Sequence, residues 1–254
     1  MKYLLIILLF TQLNSMSQNT GISNGTCVIF YLSSDSIVIA ADSKETITTK
    51  NGSYSNPPVC KIKYAKNIYF ATSGFYNIID LDNFNKQLIN IDDTMLSVIN
   101  KQKNIDSIIP VFVRKMNAGI RTLLANNAIP IEYFSTYISQ FAEYCICTFY
   151  NKNPKFIYGY LKILDNTKQS FQLGNVNINL YKELPNVFII GRKDHLEALY
   201  KIKDIFPTNP VEDKMKKLIE IEIENHKATI GLPIDILKVK KTSIMWVERN
   251  KECQ

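Results

Sequence analysis

Several familiar routes to catalysis are poorly served by this sequence. Its only histidines, His195 and His226, lie in helix-like segments whose neighbours complete neither a Ser-His-Asp arrangement nor a histidine-rich metal site. The five cysteines, Cys27, Cys60, Cys145, Cys147 and Cys253, are not at metal-ligand spacing. Cys145 and Cys147, two apart in an apolar run, read as buried thiols on one strand face. An odd count leaves at least one thiol free or paired between chains. No Gly-x-x-x-x-Gly-Lys-Ser/Thr phosphate loop occurs. What remains is a hydroxyl, a carboxylate and an amine in order along the first quarter of the chain. Thr26 follows Gly25, Asp42 lies sixteen residues on, Lys61 sits in Val59-Cys60-Lys61-Ile62, and a glycine, Gly74, ends the next apolar run. Singly, each has an ordinary explanation: a threonine that starts a strand, an aspartate that ends one, a solvated lysine and a turn glycine.

Strands must position these residues. Thr26–Leu32 and Ser36–Ala41, joined by Ser33-Ser34-Asp35, are apolar on both faces, the pattern of strands buried on both sides. Val59–Ala65 and Asn67–Ser73 form a second pair around Lys66-Asn67, and the polar stretch Thr48–Pro58 between the pairs reads as a loop. Ile78–Ile99 reads as a helix. Ile109, Phe112, Val113, Met116, Ile120, Leu123 and Leu124 share one face of another, with Pro110 tolerated in its first turn. Ser135–Ala142 reads as a short helix before strands at Cys145–Tyr150, Lys155–Leu164, Phe171–Leu173 and Asn186–Ile190. Asp194 and Glu197 make a capping box for a helix through Ile205, and Asn209 with Pro210 opens another to about His226. Strands at Ile234–Lys240 and Ser243–Glu248 close the chain. Strands, helices, strands, helices, strands predict an α+β fold with sheets packed on each other and helices outside.

Gly25-Thr26-Cys27-Val28-Ile29-Phe30, then Ser36-Ile37-Val38-Ile39-Ala40-Ala41-Asp42-Ser43-Lys44, resembles the opening of proteasome β-subunits and their bacterial relatives. In these N-terminal-nucleophile (Ntn) hydrolases a glycine precedes the nucleophilic threonine, and a hydrophobic strand ends in Ala-Ala-Asp-Ser/Thr-Arg/Lys. The separation of Thr26 from Asp42 also matches. Val59-Cys60-Lys61-Ile62 resembles the strand that bears the family's lysine, and Asn67–Gly74 the strand after it. Ile230-Gly231-Leu232-Pro233-Ile234-Asp235-Ile236 is similar to a Gly-Gly-Pro-Ile-Asp segment of bacterial proteasome-like proteins. The resemblance is strong over residues 25–74 and weak from there to about residue 185.

That resemblance implies a four-layer αββα sandwich and a threonine-type amide-bond hydrolase that cuts itself between Gly25 and Thr26. Thr26 would be the nucleophile. Its freed α-amino group, of ordinary pKa about 7.7–8.0, would be the base, since a hydroxyl attacks poorly until its proton is taken. The Lys61 ammonium would lower the pKa of that amine, and Asp42 would hold Lys61 charged. The backbone N–H of Gly74 would receive the oxyanion. No metal or organic cofactor is implied. The implied substrate is a peptide or an acyl amide, and a homo-oligomer is admitted. Two further readings are a catalytically silent scaffold or binding protein of the same fold, and a small-molecule acylase. The chain departs from the family at Gly191-Arg192-Lys193-Asp194, where a Gly-Ser-Gly-Ser stretch is usual. It departs again at Lys227 and Ile230, in the places of a supporting aspartate and serine.

Residues 1–17 carry Lys2, the apolar run Leu4–Phe10 and the small residues of Ser15-Met16-Ser17, which together read as a signal peptide. The expected organisation is therefore a signal peptide (1–17), a short propeptide (18–25) and one hydrolase domain (26–254), exported to the periplasm or beyond the cell. No stable membrane insertion is expected once the signal is removed. The net charge of +7 is scattered in short clusters rather than laid out as a footprint for nucleic acid, so no nucleic-acid partner is expected.

Overall fold

The computed structural model describes residues 20–24, 26–49, 52–75, 77–80, 87–102, 104–137, 139–151, 153–178, 186–193, 196 and 210–253. The signal-peptide residues and the capping box of Asp194 and Glu197 lie outside the described residues. The strands are β1 (Thr20–Asn24), β2 (Cys27–Leu32), β3 (Ser36–Asp42), β4 (Glu45–Thr49), β5 (Gly52–Asn56), β6 (Lys63–Ala65), β7 (Ile68–Gly74), β8 (Asn77–Asp80) and β9 (Gln87–Asn90). After helices α1 (Ile91–Ile99) and α2 (Ile108–Ala125) come β10 (Ala142–Tyr150), β11 (Asn153–Asp165), β12 (Gln172–Asn177) and β13 (Asn186–Gly191). Helix α3 (Val211–Asn225), β14 (Ile234–Lys240) and β15 (Ile244–Glu248) complete the order.

Three antiparallel sheets result, ordered β13-β2-β3-β14-β15, β12-β11-β10-β7-β6 and β5-β4-β1-β8-β9. The first contains the β2–β3 hairpin, where Ser33 N–H donates to Ser36 O at 2.9 Å. Its two-sided apolar pattern has a direct consequence. Val28, Phe30, Leu32, Ile37, Ile39 and Ala41 face a core shared with Ala71, Cys145, Cys147 and Tyr158 of the second sheet. The alternate residues, Cys27, Ile29, Val38 and Ala40, pack against Met215 and Ile219 of α3. The second sheet turns Phe70, Ile146 and Leu161 towards Phe112, Met116 and Ile120 of α2, residues spaced to share one face of that helix. Burial of this kind is the main favourable term in the fold.

The expectation of a four-layer αββα sandwich does not hold. Among the described residues the chain is a β-rich fold of mostly antiparallel sheet, with a third sheet that the sandwich does not contain and only three α-helices. Two misreadings produced the error. Thr48–Pro58, read as a loop, holds the end of β4 and all of β5, because a polar strand pair lacks the apolar alternation that marks a strand. Ile78–Ile99, read as one helix, contains β8 and β9, and the helix begins only at Ile91, where the Asn90 side chain accepts from Asp93 N–H. Smaller shifts follow the same logic. Only Lys63–Ala65 of the expected strand at 59–65 pairs, Ile131–Tyr137 is a 3-10 segment ahead of β10, and Pro210 caps α3 rather than beginning it.

Cys60 and Cys253 form a disulfide, while Cys27, Cys145 and Cys147 are free and buried. Burial pushes all three thiols above their ordinary pKa, with the Asp42 carboxylate adding to the effect at Cys27. Alkylation of native protein at pH 8 should therefore label no cysteine. Denaturation without reductant should yield three labels by intact mass, and reduction two more. Label on Cys60 or Cys253 before reduction would contradict the pairing.

Candidate active site

Asp42 ends β3 with its side chain wholly buried. The β2–β3 ladder stops at Val28↔Ala41, and one step further the Asp42 side chain takes over the pairing. Its Oδ1 accepts from Cys27 N–H at 2.7 Å and from Lys61 Nζ at 2.9 Å. Its Oδ2 accepts from Lys61 Nζ at 3.0 Å and from the N–H groups of Lys44 and Gly231, each at 3.2 Å. Burial pushes the Asp42 carboxyl above its ordinary pKa, and the Lys61 charge and these N–H donors pull against it. Because every one of these neighbours donates, the carboxylate is the form they satisfy; a protonated carboxyl would turn its O–H towards a donor.

Lys61 is itself buried at 4% exposure, so its ammonium depends on this pairing. The segment that carries it is held from both sides: Val59 N–H donates to Ser43 O at 2.8 Å, and Cys60 is bonded to Cys253. A second buried carboxylate secures the same region. Asp235 accepts from Ser43 Oγ at 2.6 Å and from Asn250 N–H at 2.6 Å, and Asn250 Nδ2 reaches both Asp235 (2.7 Å) and Ser43 Oγ (2.8 Å). Burial raises the Asp235 pKa, and the charge of Asp42 pushes the same way.

Thr26 is buried at 6% exposure, and the peptide unit after it is gripped at both ends. Its N–H, that of Cys27, is the one held by Asp42; its oxygen, that of Thr26, accepts from Arg192 N–H at 2.8 Å. Gly191 makes the second contact possible. Its φ is +86°, and a Cβ built there would lie 1.9 Å from Thr26 O and 3.2 Å from Ser73 Cβ. Glu143, on β10, holds this glycine by accepting its N–H at 2.6 Å, and also accepts from Ser73 Oγ at 3.2 Å, Tyr158 OH at 3.3 Å and Lys193 Nζ at 3.3 Å. Gly74, beside Ser73, ends β7 with φ +87°, opposite Ala142. The next amide, Phe75 N–H, donates to Phe141 O at 3.0 Å.

Of the four residues singled out by sequence, Asp42 and Lys61 are in direct contact and Thr26 is tied to them through the Cys27 amide. Gly74 reaches the group one residue removed, through Ser73 and Glu143. Two of the three departures contribute through main chain. Arg192 lends its N–H to Thr26, the carbonyl of Lys227 accepts from Lys44 Nζ at 2.5 Å, and Ile230 is buried beside the Gly231 amide that serves Asp42. Glu143 and Asn250 escaped the sequence reading, and Ser43 and Asp235 carried no role in it. Glu143 and Asp235 had a signal, each being a lone carboxylate within an apolar strand. No protein-family model and no curated protein matches this chain.

Lys61→Met should leave the Asp42 charge buried and unpaired, lowering stability by about 3–5 kcal/mol. Adding Asp42→Asn removes that charge, so the double variant should lose less than the two single losses together. Denaturant unfolding of the four chains measures the coupling, and strict additivity would contradict the pairing.

Proposed function

We propose that the chain is a threonine-type amide-bond hydrolase of the N-terminal-nucleophile kind, acting through Thr26 after cleavage at Gly25–Thr26. The observation that supports it best is the double grip on the peptide unit after Thr26, because it fixes the backbone from which both the hydroxyl and the future α-amine project. In the first cycle the Thr26 Oγ1 bonds to the carbonyl carbon of Gly25, the C–N bond breaks, and the hydroxyl proton passes to the Thr26 nitrogen. Water then hydrolyses the resulting ester, leaving a Gly25 carboxylate and a free Thr26 amine.

In later cycles that amine takes the hydroxyl proton as Oγ1 attacks a substrate carbonyl. An ester forms, the leaving amine receives the proton, and water releases the acid. Lys61 contributes a fixed positive charge that favours the neutral, basic form of the terminal amine, and Asp42 holds that charge in place. The Gly74 amide is the proposed oxyanion donor. The substrate class is peptide or acyl amide. An exported location accords with this reading, since an enzyme of this kind needs no nucleotide to cut short or unfolded chains. Among the described residues no helix is long and apolar enough to cross a membrane.

Mass spectrometry of the mature protein should find Thr26 as its first residue, and Thr26→Ala should abolish both the cut and hydrolysis of a peptide and acyl-amide panel while leaving the melting temperature within a few degrees. A mature chain that keeps residues before Thr26, or wild-type hydrolysis by the alanine variant, would refute the assignment.

A further inference from the structure

Cys60, Asp235 and Cys253 come from distant parts of the chain and meet in one buried cluster. Cys60 lies in the irregular stretch that leads into β6, Asp235 is the second residue of β14, and Cys253 follows β15 in a turn where its N–H donates to Asn250 O at 3.3 Å. The three are 3%, 0% and 1% exposed. A carboxylate oxygen of Asp235 and the two sulfurs all lie within 4.8 Å of one another. No pattern along the chain announces the cluster, since its cysteines are 193 residues apart.

Asp235 differs from Asp42 in one respect. Asp42 is met by the Lys61 ammonium as well as by amides, whereas among the described residues Asp235 has no cationic partner. Its donors are neutral: the Ser43 hydroxyl and the main-chain and side-chain amides of Asn250. A buried carboxylate served only in this way pays a desolvation cost that a nearby cation would offset. Among the described residues Oδ1 accepts only the Asn250 N–H, which leaves it a lone pair.

Two thiolates beside a carboxylate are a donor set suited to zinc, since soft sulfur disfavours magnesium and calcium while zinc takes both sulfur and oxygen. With Zn–S of about 2.3 Å and Zn–O of about 2.0–2.2 Å, the ligand atoms of a tetrahedral site stand roughly 3.5–3.8 Å apart. Opening the S–S bond lets the sulfurs part to that spacing, and the carboxylate has only a short way to move in. Metal-binding carboxylates are usually hydrogen-bonded in turn, and Ser43 and Asn250 already do this for Asp235.

We propose that in the reduced chain Cys60, Cys253 and Asp235 form a zinc site that replaces the disulfide, so that the Lys61 segment is fastened to the C-terminal turn in either redox state. A dithiol reductant opens the S–S bond: two electrons and two protons pass to the sulfurs, and the dithiol closes to a cyclic disulfide. Zinc then takes the place of the two thiol protons, which leave to solvent. One tetrahedral position remains for water. Such a site stands whether or not Thr26 is a nucleophile.

The full chain is reduced with dithiothreitol, freed of it by gel filtration under argon and titrated with cobalt(II), a coloured stand-in for zinc. A sulfur-to-cobalt charge-transfer band that saturates at one equivalent, is bleached by zinc and is absent from the oxidised chain is the expected result. Asp235→Asn should weaken cobalt binding at least tenfold. The Cys60→Ser, Cys253→Ser double variant should show no band, although Cys27, Cys145 and Cys147 remain. Zinc should raise the melting temperature of the reduced chain and leave that of the oxidised chain unchanged; if reduction alone unfolds the chain, zinc should refold it. X-ray absorption of the zinc-loaded wild-type chain, which needs no variant to fold, should find two sulfurs at about 2.3 Å and the remaining ligands oxygen at about 2.0–2.2 Å. No band on the reduced chain, a band that survives in the double variant, unchanged affinity in a folded Asp235→Asn chain, or a zinc shell with three or more sulfurs overturns the site.

Discussion

A carboxylate taken wholly out of water at Asp42 has to be met by donors, and meeting them draws together parts of the chain far apart in sequence. The Cys27 amide comes from the start of β2, the Lys61 ammonium from the segment before β6, and the Gly231 amide from just ahead of β14. Desolvation opposes the charge and would exceed the gain from Lys61 alone unless the remaining lone pairs were also filled. The backbone N–H groups fill them. The requirement explains why the Lys61 segment is fastened by a disulfide and why the C-terminal residues turn back to Asp235 and Ser43. A lysine held this way cannot swing out to solvent without stranding a buried anion.

Another buried carboxylate, Glu143, solves a different problem. The first and second sheets meet through an apolar core that has little directional preference, so side-chain packing alone does not set the height of one sheet's end against the other. Glu143 does so at one point, by binding Ser73 on its own sheet and the Gly191 amide at the end of β13. The glycine then lies against Thr26 O, and the next amide binds it. Asp42 therefore fixes one end of the Thr26–Cys27 peptide unit and Glu143, acting through Gly191 and Arg192, fixes the other. The two carboxylates thus hold the main chain at Thr26 from opposite ends of one peptide unit.

What could be read from sequence follows from how far each signal reaches. β2, β3 and α2 were legible because burial on a fixed face writes a period into the residues themselves: Val28, Phe30 and Leu32 on one side of β2, Phe112, Met116 and Ile120 along α2. The Asp42–Lys61 pair was legible only through spacing that resembles a known family. The third sheet was not legible, since β5 (Gly-Ser-Tyr-Ser-Asn) is specified by its pairing with β4 rather than by any apolar pattern of its own. Helix and strand were confused at 78–99 because short apolar runs such as Asn77–Asp80 and Gln87–Asn90 fit either period. Glu143 stands out locally only as a lone carboxylate in an apolar strand; its partners Ser73 and Gly191 lie far from it in the chain, and no local pattern names them.

The third sheet also changes how a cut before Thr26 should be understood. Between Asn24 and Cys27 the chain passes from one sheet to another, from β1 with its ladders to β4 and β8 into β2 with its ladders to β3 and β13. In the sequence, the Gly25–Thr26 bond falls between those two sets of pairings. A cut there would not itself interrupt the ladders of β1 to β4 and β8. The same reasoning explains why release need not follow cleavage. A strand paired on both sides dissociates only by exposing two ladders at once, so a cut before Thr26 and the departure of β1 would be separate events, the second governed by the ladders to β4 and β8.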